Sequence, residues 1–256
     1  MPRSRKERAS AADAPAPAQP AGATALRRDT ARVEGFSDAV FGFSATLLVV
    51  TLEVPQTFPE LARSLWGFVP FSLSFLALVL IWSTHHAFFR RYHLADRVTV
   101  ALNSILLFVV LFYVYPLKFM TGSLFEDVLG RKPLRESVRF TGPDDVAGMF
   151  VVYGLGFAAV FACFALLYRH AARMAGPLAL TPSQRHEARM LCRHYWILAG
   201  VGVLSIALAA ADVGTRWGVP GFIYALIGPL TWWHGVWSGR RAPAGVAAPP
   251  AVAPAS

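Results

Sequence analysis

Residues 32–55 read RVEGFSDAVFGFSATLLVVTLEVP. After the polar opening through Asp38, this stretch is apolar apart from isolated hydroxyls until Glu53 and Pro55 close it. A helix needs about 20 mostly apolar residues to cross a bilayer, so the stretch reads as a membrane span over 33–54. Polar groups within hydrocarbon are costly, and each is a functional candidate. Here they are Arg32, Glu34, Ser37, Asp38, Ser44, Thr46 and Thr51. At about 100° per residue, Ala39, Phe43, Thr46, Leu47 and Val50 fall on one stripe, and Asp38 points away from it by more than a right angle. One face can dock on neighbouring helices while the other meets something else.

Five further stretches share this character: 64–88, 98–120, 147–170, 190–211 and 217–237. The sixth span is interrupted by Pro220 and Pro229, whose neighbours must satisfy the freed backbone groups. An open sheet does not survive in lipid. The expectation is therefore an all-α, polytopic membrane protein with six transmembrane helices. Of 256 residues, 55% are hydrophobic and only 15% charged, against about 25% charged in soluble domains. Residues 1–31 and 242–256 are rich in Ala and Pro and read as disordered cytoplasmic tails around a membrane domain at 32–241. The opening segment lacks the apolar run of a secretory signal.

Lys and Arg set the orientation. They crowd the N-terminal tail, the loop after the second span (Arg90, Arg91, Arg97), the loop after the fourth (Arg169, Arg173, Arg185, Arg189, Arg193) and the C-terminal side (Arg240, Arg241). On the opposite side, loop 121–146 mixes both signs. This distribution fits a multi-pass protein of the cell membrane with both termini cytoplasmic. The net charge of +9 reads as topology and lipid contact, without a nucleic-acid motif. Cys163 and Cys192 lie in or beside apolar blocks and show no disulfide or metal spacing. No catalytic arrangement and no cofactor site is evident. His194 and His234 sit among Tyr and Trp as interface anchors.

With both tails inside, Asp38 lies roughly 8 Å into the first span. Asn103 lies at a similar depth in the third, and His85 is near the inner end of the second, beside Trp82. These groups share one layer, which predicts a buried hydrogen-bond network.

The pattern Arg32-x-x-x-Phe36-Ser37-Asp38, followed by Thr46-Leu47-Leu48 and Glu53-x-Pro55, resembles the first helix of the transmembrane protein 175 family of lysosomal and bacterial potassium channels. IWSTHHAFFRRY (81–92) and NSILLFVVLFYVYP (103–116) resemble its second and third helices. The resemblance implies a passive, potassium-favouring cation channel, with K⁺ as the permeant ion and no cofactor. A chain with one six-helix unit is expected to form a homotetramer in the lipid bilayer. It also implies a pore lined by Phe43, Thr46, Leu47 and Val50, with the constriction at Phe43. Arg32, Phe36, Ser37, Asp38, Trp82, His85 and Asn103 would form an interhelical network, where spacing favours His85 over His86. The family usually has an aliphatic residue where this chain has Phe43. A phenylalanine ring is bulkier, so a non-conducting member is one alternative. A proton- or ion-coupled transporter using Asp38 and His85 is another, although no internal repeat is visible.

Overall fold

The computed structural model describes residues 21–50, 56–129 and 143–240. The helices are α1 (Ala21–Val50), α2 (Phe58–Ser64), α3 (Phe68–Tyr92), α4 (Arg97–Leu129), α5 (Pro143–Arg173), α6 (Pro182–Ala210), α7 (Val219–Phe222) and α8 (Ile227–Gly239). Short 3-10 turns at Leu65–Gly67, Thr215–Trp217 and Ile223–Leu226 complete the described secondary structure. Among the described residues, five segments are long and apolar enough to cross a bilayer: Arg28–Val50, Phe68–Tyr92, Arg97–Ser123, Asp144–Arg173 and Pro182–Ala210. The protein is an all-helical integral membrane protein.

The sixth expected span, 217–237, is a relay of α7, a 3-10 turn and α8. Its prolines explain the breaks. Pro220 is the second residue of α7 and Pro229 the third of α8, and a first helical turn needs no internal N–H donor. The Ser205 hydroxyl of α6 donates to the Pro220 carbonyl at 2.8 Å, so the broken segment is pinned to its neighbour.

Helix ends also depart from the sequence reading. Residues 21–31, expected in the disordered tail, belong to α1. Their Ala and Arg residues are strong helix formers, and the buried Thr30 hydroxyl donates to the His93 carbonyl at 3.1 Å. The remainder of that tail (1–20) and the C-terminal tail (242–256) lie outside the described residues, as do Thr51, Glu53 and Pro55. Helix α6 begins at Pro182 rather than 190. Thr181 caps it by accepting from the Gln184 N–H, while the Gln184 side chain accepts from the Thr181 N–H. This reciprocal capping box satisfies two otherwise orphaned donors.

Packing divides the bundle. Helix α1 leans on α3 and α4, while α5 and α6 make the largest helix–helix contact. A side chain at Gly202 would lie 3.1 Å from Ala158 Cβ and Phe157 Cδ1, and one at Gly154 would lie 3.2 Å from the Gly202 carbonyl oxygen. Small residues let membrane helices approach in this way. A core of Phe41, Leu48, Leu78, Phe88, Leu106 and Phe164 joins the two halves.

One end of the bundle is tied by polar contacts. The Arg91 guanidinium on α3 pairs with Glu187 on α6. Asp96, between α3 and α4, meets His170 Nε2 on α5 at 3.0 Å and accepts from the Thr99 hydroxyl at 2.5 Å. The α3–α4 and α5–α6 connections and residue 30 of α1 therefore share one end of the molecule.

Candidate functional site

Alternation of buried and exposed positions along α1 creates the site. Ser37, Phe41, Ser44 and Leu48 are buried against the bundle. Their 4-3-4 spacing is that of one helix face. Phe43 is 57% exposed and Val50 71%. Ala39 and Thr46 are exposed beside them, and Leu47 is half-buried at the edge. The chain leaves uncovered a face carrying large apolar side chains. The Thr46 hydroxyl donates to the Gly42 carbonyl at 3.0 Å, leaving its oxygen lone pairs outward.

On the buried face a hydrogen-bond chain links three helices. The His85 Nε2–H of α3 donates to Asn103 Oδ1 of α4 at 2.8 Å. Asn103 Nδ2 donates to Ser37 Oγ of α1 at 2.9 Å, and the Ser37 hydroxyl in turn donates to the Val33 carbonyl at 2.8 Å. All three side chains are at most 2% exposed. The His85 ring lies between Phe41 and Phe89, with centroids 5.5 and 4.6 Å away. His86 instead is exposed and stacks on Trp82.

A separate pair sits at the helix surface. The Trp82 indole N–H donates to Asp38 Oδ1 at 2.8 Å. The pair closes one end of a groove of about 390 Å³ between α1 and α3, lined also by Phe41, Gly42, Ala45, Phe75, Leu78 and Val79.

Of the residues read as one network, the structure thus brings together Ser37, His85 and Asn103, and separately Asp38 and Trp82. It does not bring Arg32 or Phe36 to either group. Phe36 is 65% exposed, and Arg32 is exposed with no hydrogen-bond or ion-pair partner among the described residues. Helical geometry gives the reason. Both lie within about 20° of the Phe43 direction, whereas Ser37 and Asp38 are turned away by more than 100°.

Sequence reading missed the tie between Asp96 and His170, 74 positions apart. The pattern Asp96-x-x-Thr99 at the start of α4 was the only local signal, that of a helix cap. Burial raises the Asp96 carboxyl, but the Thr99 hydroxyl, His170 and the Val98 N–H outweigh it and hold the group below the usual range. Among the described residues no three His, Cys, Asp or Glu side chains converge as a metal site.

Comparison with known proteins places the chain in a family. Residues 32–113 match the family model described as the endosomal/lysosomal potassium channel TMEM175. A potassium channel of Marivirga tractuosa is 36% identical over 209 residues, 78% of this chain and 83% of the relative. A potassium channel of Chamaesiphon minutus is 28% identical over 75% of this chain and 89% of its own length. Among solved structures, a variant of the potassium channel MtTMEM175, crystallised with a nanobody–MBP fusion protein, superposes with a TM-score of 0.72 at 32% identity. That match covers 82% of this chain and 93% of the other. A TMEM175 homologue from Chamaesiphon minutus, at 23% identity and a TM-score of 0.53 over 82% and 98% of the two chains, shares the fold. With a relative above 30% identity spanning most of both chains, this protein belongs to the TMEM175 family, a family of channels rather than enzymes.

Proposed function

We propose that copies of this chain assemble around a common axis, as a homotetramer, to form a passive cation channel that favours K⁺. The observation that carries the reading is the uncovered face of α1. Phe43 and Val50 are more than half exposed in a helix whose opposite side is closely packed. In the assembly this face lines the path, with Phe43 as its narrowest ring and Thr46, Leu47 and Val50 beyond it. The two hydrogen-bonded groups behind it, Ser37–Asn103–His85 and Asp38–Trp82, brace α1 on α3 and α4. The membrane domain spans residues 32–241, both termini are cytoplasmic, and no cofactor takes part.

Such a path selects by dehydration at an apolar neck, which closes by dewetting, rather than by a cage of backbone carbonyls. A cation just outside the neck exchanges hydration water for the outward lone pairs of Thr46. Modest preference for K⁺ over Na⁺ follows, because K⁺ loses its water more readily.

The test is potassium flux into liposomes carrying purified protein, compared with Phe43→Ile. The smaller aliphatic ring widens the neck, so the variant passes K⁺ at least threefold faster than the parent, and K⁺ faster than Na⁺ in both. Background flux in both proteins would refute the reading.

A further inference from the structure

The uncovered face of α1 does not stop at Phe43. Asp29, Arg32, Phe36, Ala39, Phe43, Thr46 and Val50 are all exposed, and successive members are three or four residues apart in strict alternation. This is the 3.5-residue repeat by which parallel helices meet copies of themselves along a seam. The large side chains recur every seventh position, at 36, 43 and 50, and are 65%, 57% and 71% exposed.

Resting on the channel reading above, we infer that Phe36 forms a second apolar ring, one heptad on the cytoplasmic side of Phe43, so that two necks in series close the path. Seven residues at 1.5 Å rise put the rings about 10 Å apart. The wall between them carries only Ala39, which leaves a wider chamber between two narrow rings. Both rings must be wet at once for an ion to pass, so their open probabilities multiply and widening either one raises the flux.

The occupant of the seam is a second copy of the same helix in the same direction. Opposite charges lie one layer apart at its inner end: three residues, about 4.5 Å of axial rise, separate Arg32 on one copy from the level of Asp29 on the next, and the aspartate ring offsets the arginine ring. Beside the seam, Gly35 and Gly42 have nothing within 4 Å of where a side chain would begin, which leaves room for a neighbouring helix. Lipid would need neither the spacing nor the charge pairing.

The test uses full-length protein with Cys163→Ala and Cys192→Ser, and single cysteines introduced as Phe36→Cys, Phe43→Cys, Val50→Cys and, on the opposite face, Ala45→Cys. Each is exposed in liposomes to a charged, membrane-impermeant methanethiosulfonate; labelling is read by mass and K⁺ flux is measured before and after. The expected result is labelling at 36, 43 and 50 at least tenfold faster than at 45, with flux falling at least tenfold on modification at 36. Labelling at 43 and 50 without labelling at 36 would overturn this inference and leave the channel reading standing. Slow labelling at all of 36, 43 and 50 would remove both. Should Phe36→Cys fail to assemble, Phe36→Val and Phe36→Trp are compared with the parent for flux. Val raises it and Trp lowers it at least threefold if position 36 is a ring, and equal flux in all three overturns the inference.

Discussion

Asn103 links α4 to both α1 and α3. It is 2% exposed and engages both His85 and Ser37. A buried polar group stripped of its partner costs about 1–3 kcal/mol. Asn103→Ala orphans the His85 N–H and the Ser37 oxygen together, and should lower the melting temperature in detergent by several degrees. Trp82→Phe, which removes a bond between exposed partners, should cost less than about 1 kcal/mol. Equal melting of the two variants would contradict the distinction between the buried chain and the surface pair. The Asp96 carboxyl, held below its ordinary value by Thr99, His170 and the Val98 N–H, gives a pH signature. A group lowered on folding contributes stability above its unfolded pKa and loses it as the pH falls through the folded value. Asp96→Asn should therefore melt below the parent at pH 7, with the gap closing below about pH 4; a constant gap from pH 7 to pH 3 would rule out the carboxylate as its source. Sequence alone disclosed Ser37, Asp38, Trp82, His85 and Asn103, because polar side chains stand out against an apolar background. It misplaced Phe36. An apolar residue in an apolar helix carries no such contrast, and only its 65% exposure shows which way it faces. The Asp96–His170 contact was invisible because its two halves lie 74 residues apart in different loops and helices.

At the scale of elements, the most extensive helix–helix contact in the bundle is between α5 and α6. A side chain at Gly202 would meet Phe157 and Ala158 at 3.1 Å, while one at Gly200 meets nothing within 4 Å. Gly202→Leu must push the helices apart, and such overpacking costs about 1–3 kcal/mol. Gly200→Leu, on the same helix, should be near neutral. Thermal unfolding of the pair checks this; indistinguishable melting curves would show that the helices have slack at this crossing. Five membrane helices could be read from length and apolarity alone, since lipid leaves the backbone little choice but to satisfy itself within a helix. Their ends were harder to read. Helix α1 starts at Ala21 and α6 at Pro182, because good helix formers and a capping box continue a helix past the point where hydropathy stops. The broken final segment was foreshadowed by Pro220 and Pro229, but the short pieces into which it divides depend on tertiary support such as the bond from Ser205.

For the whole molecule, the single chain leaves unfinished business. It exposes Phe36, Phe43 and Val50 on one side of its first helix and, at one end of the bundle, ties its loops together through Arg91–Glu187 and Asp96–His170. The second feature gives a rigid frame, and in the proposed channel the first faces the other copies. Symmetric closure of identical chains supplies them without any further component. The measurement that bears most directly on this account is a cryo-EM map of the purified assembly in lipid nanodiscs, with K⁺ present. The account predicts four chains with their first helices around a shared axis, a continuous path along that axis, and its narrowest point at the Phe43 side chains. A map with α1 at the rim of the assembly against lipid, and no axial path between protomers, would contradict it.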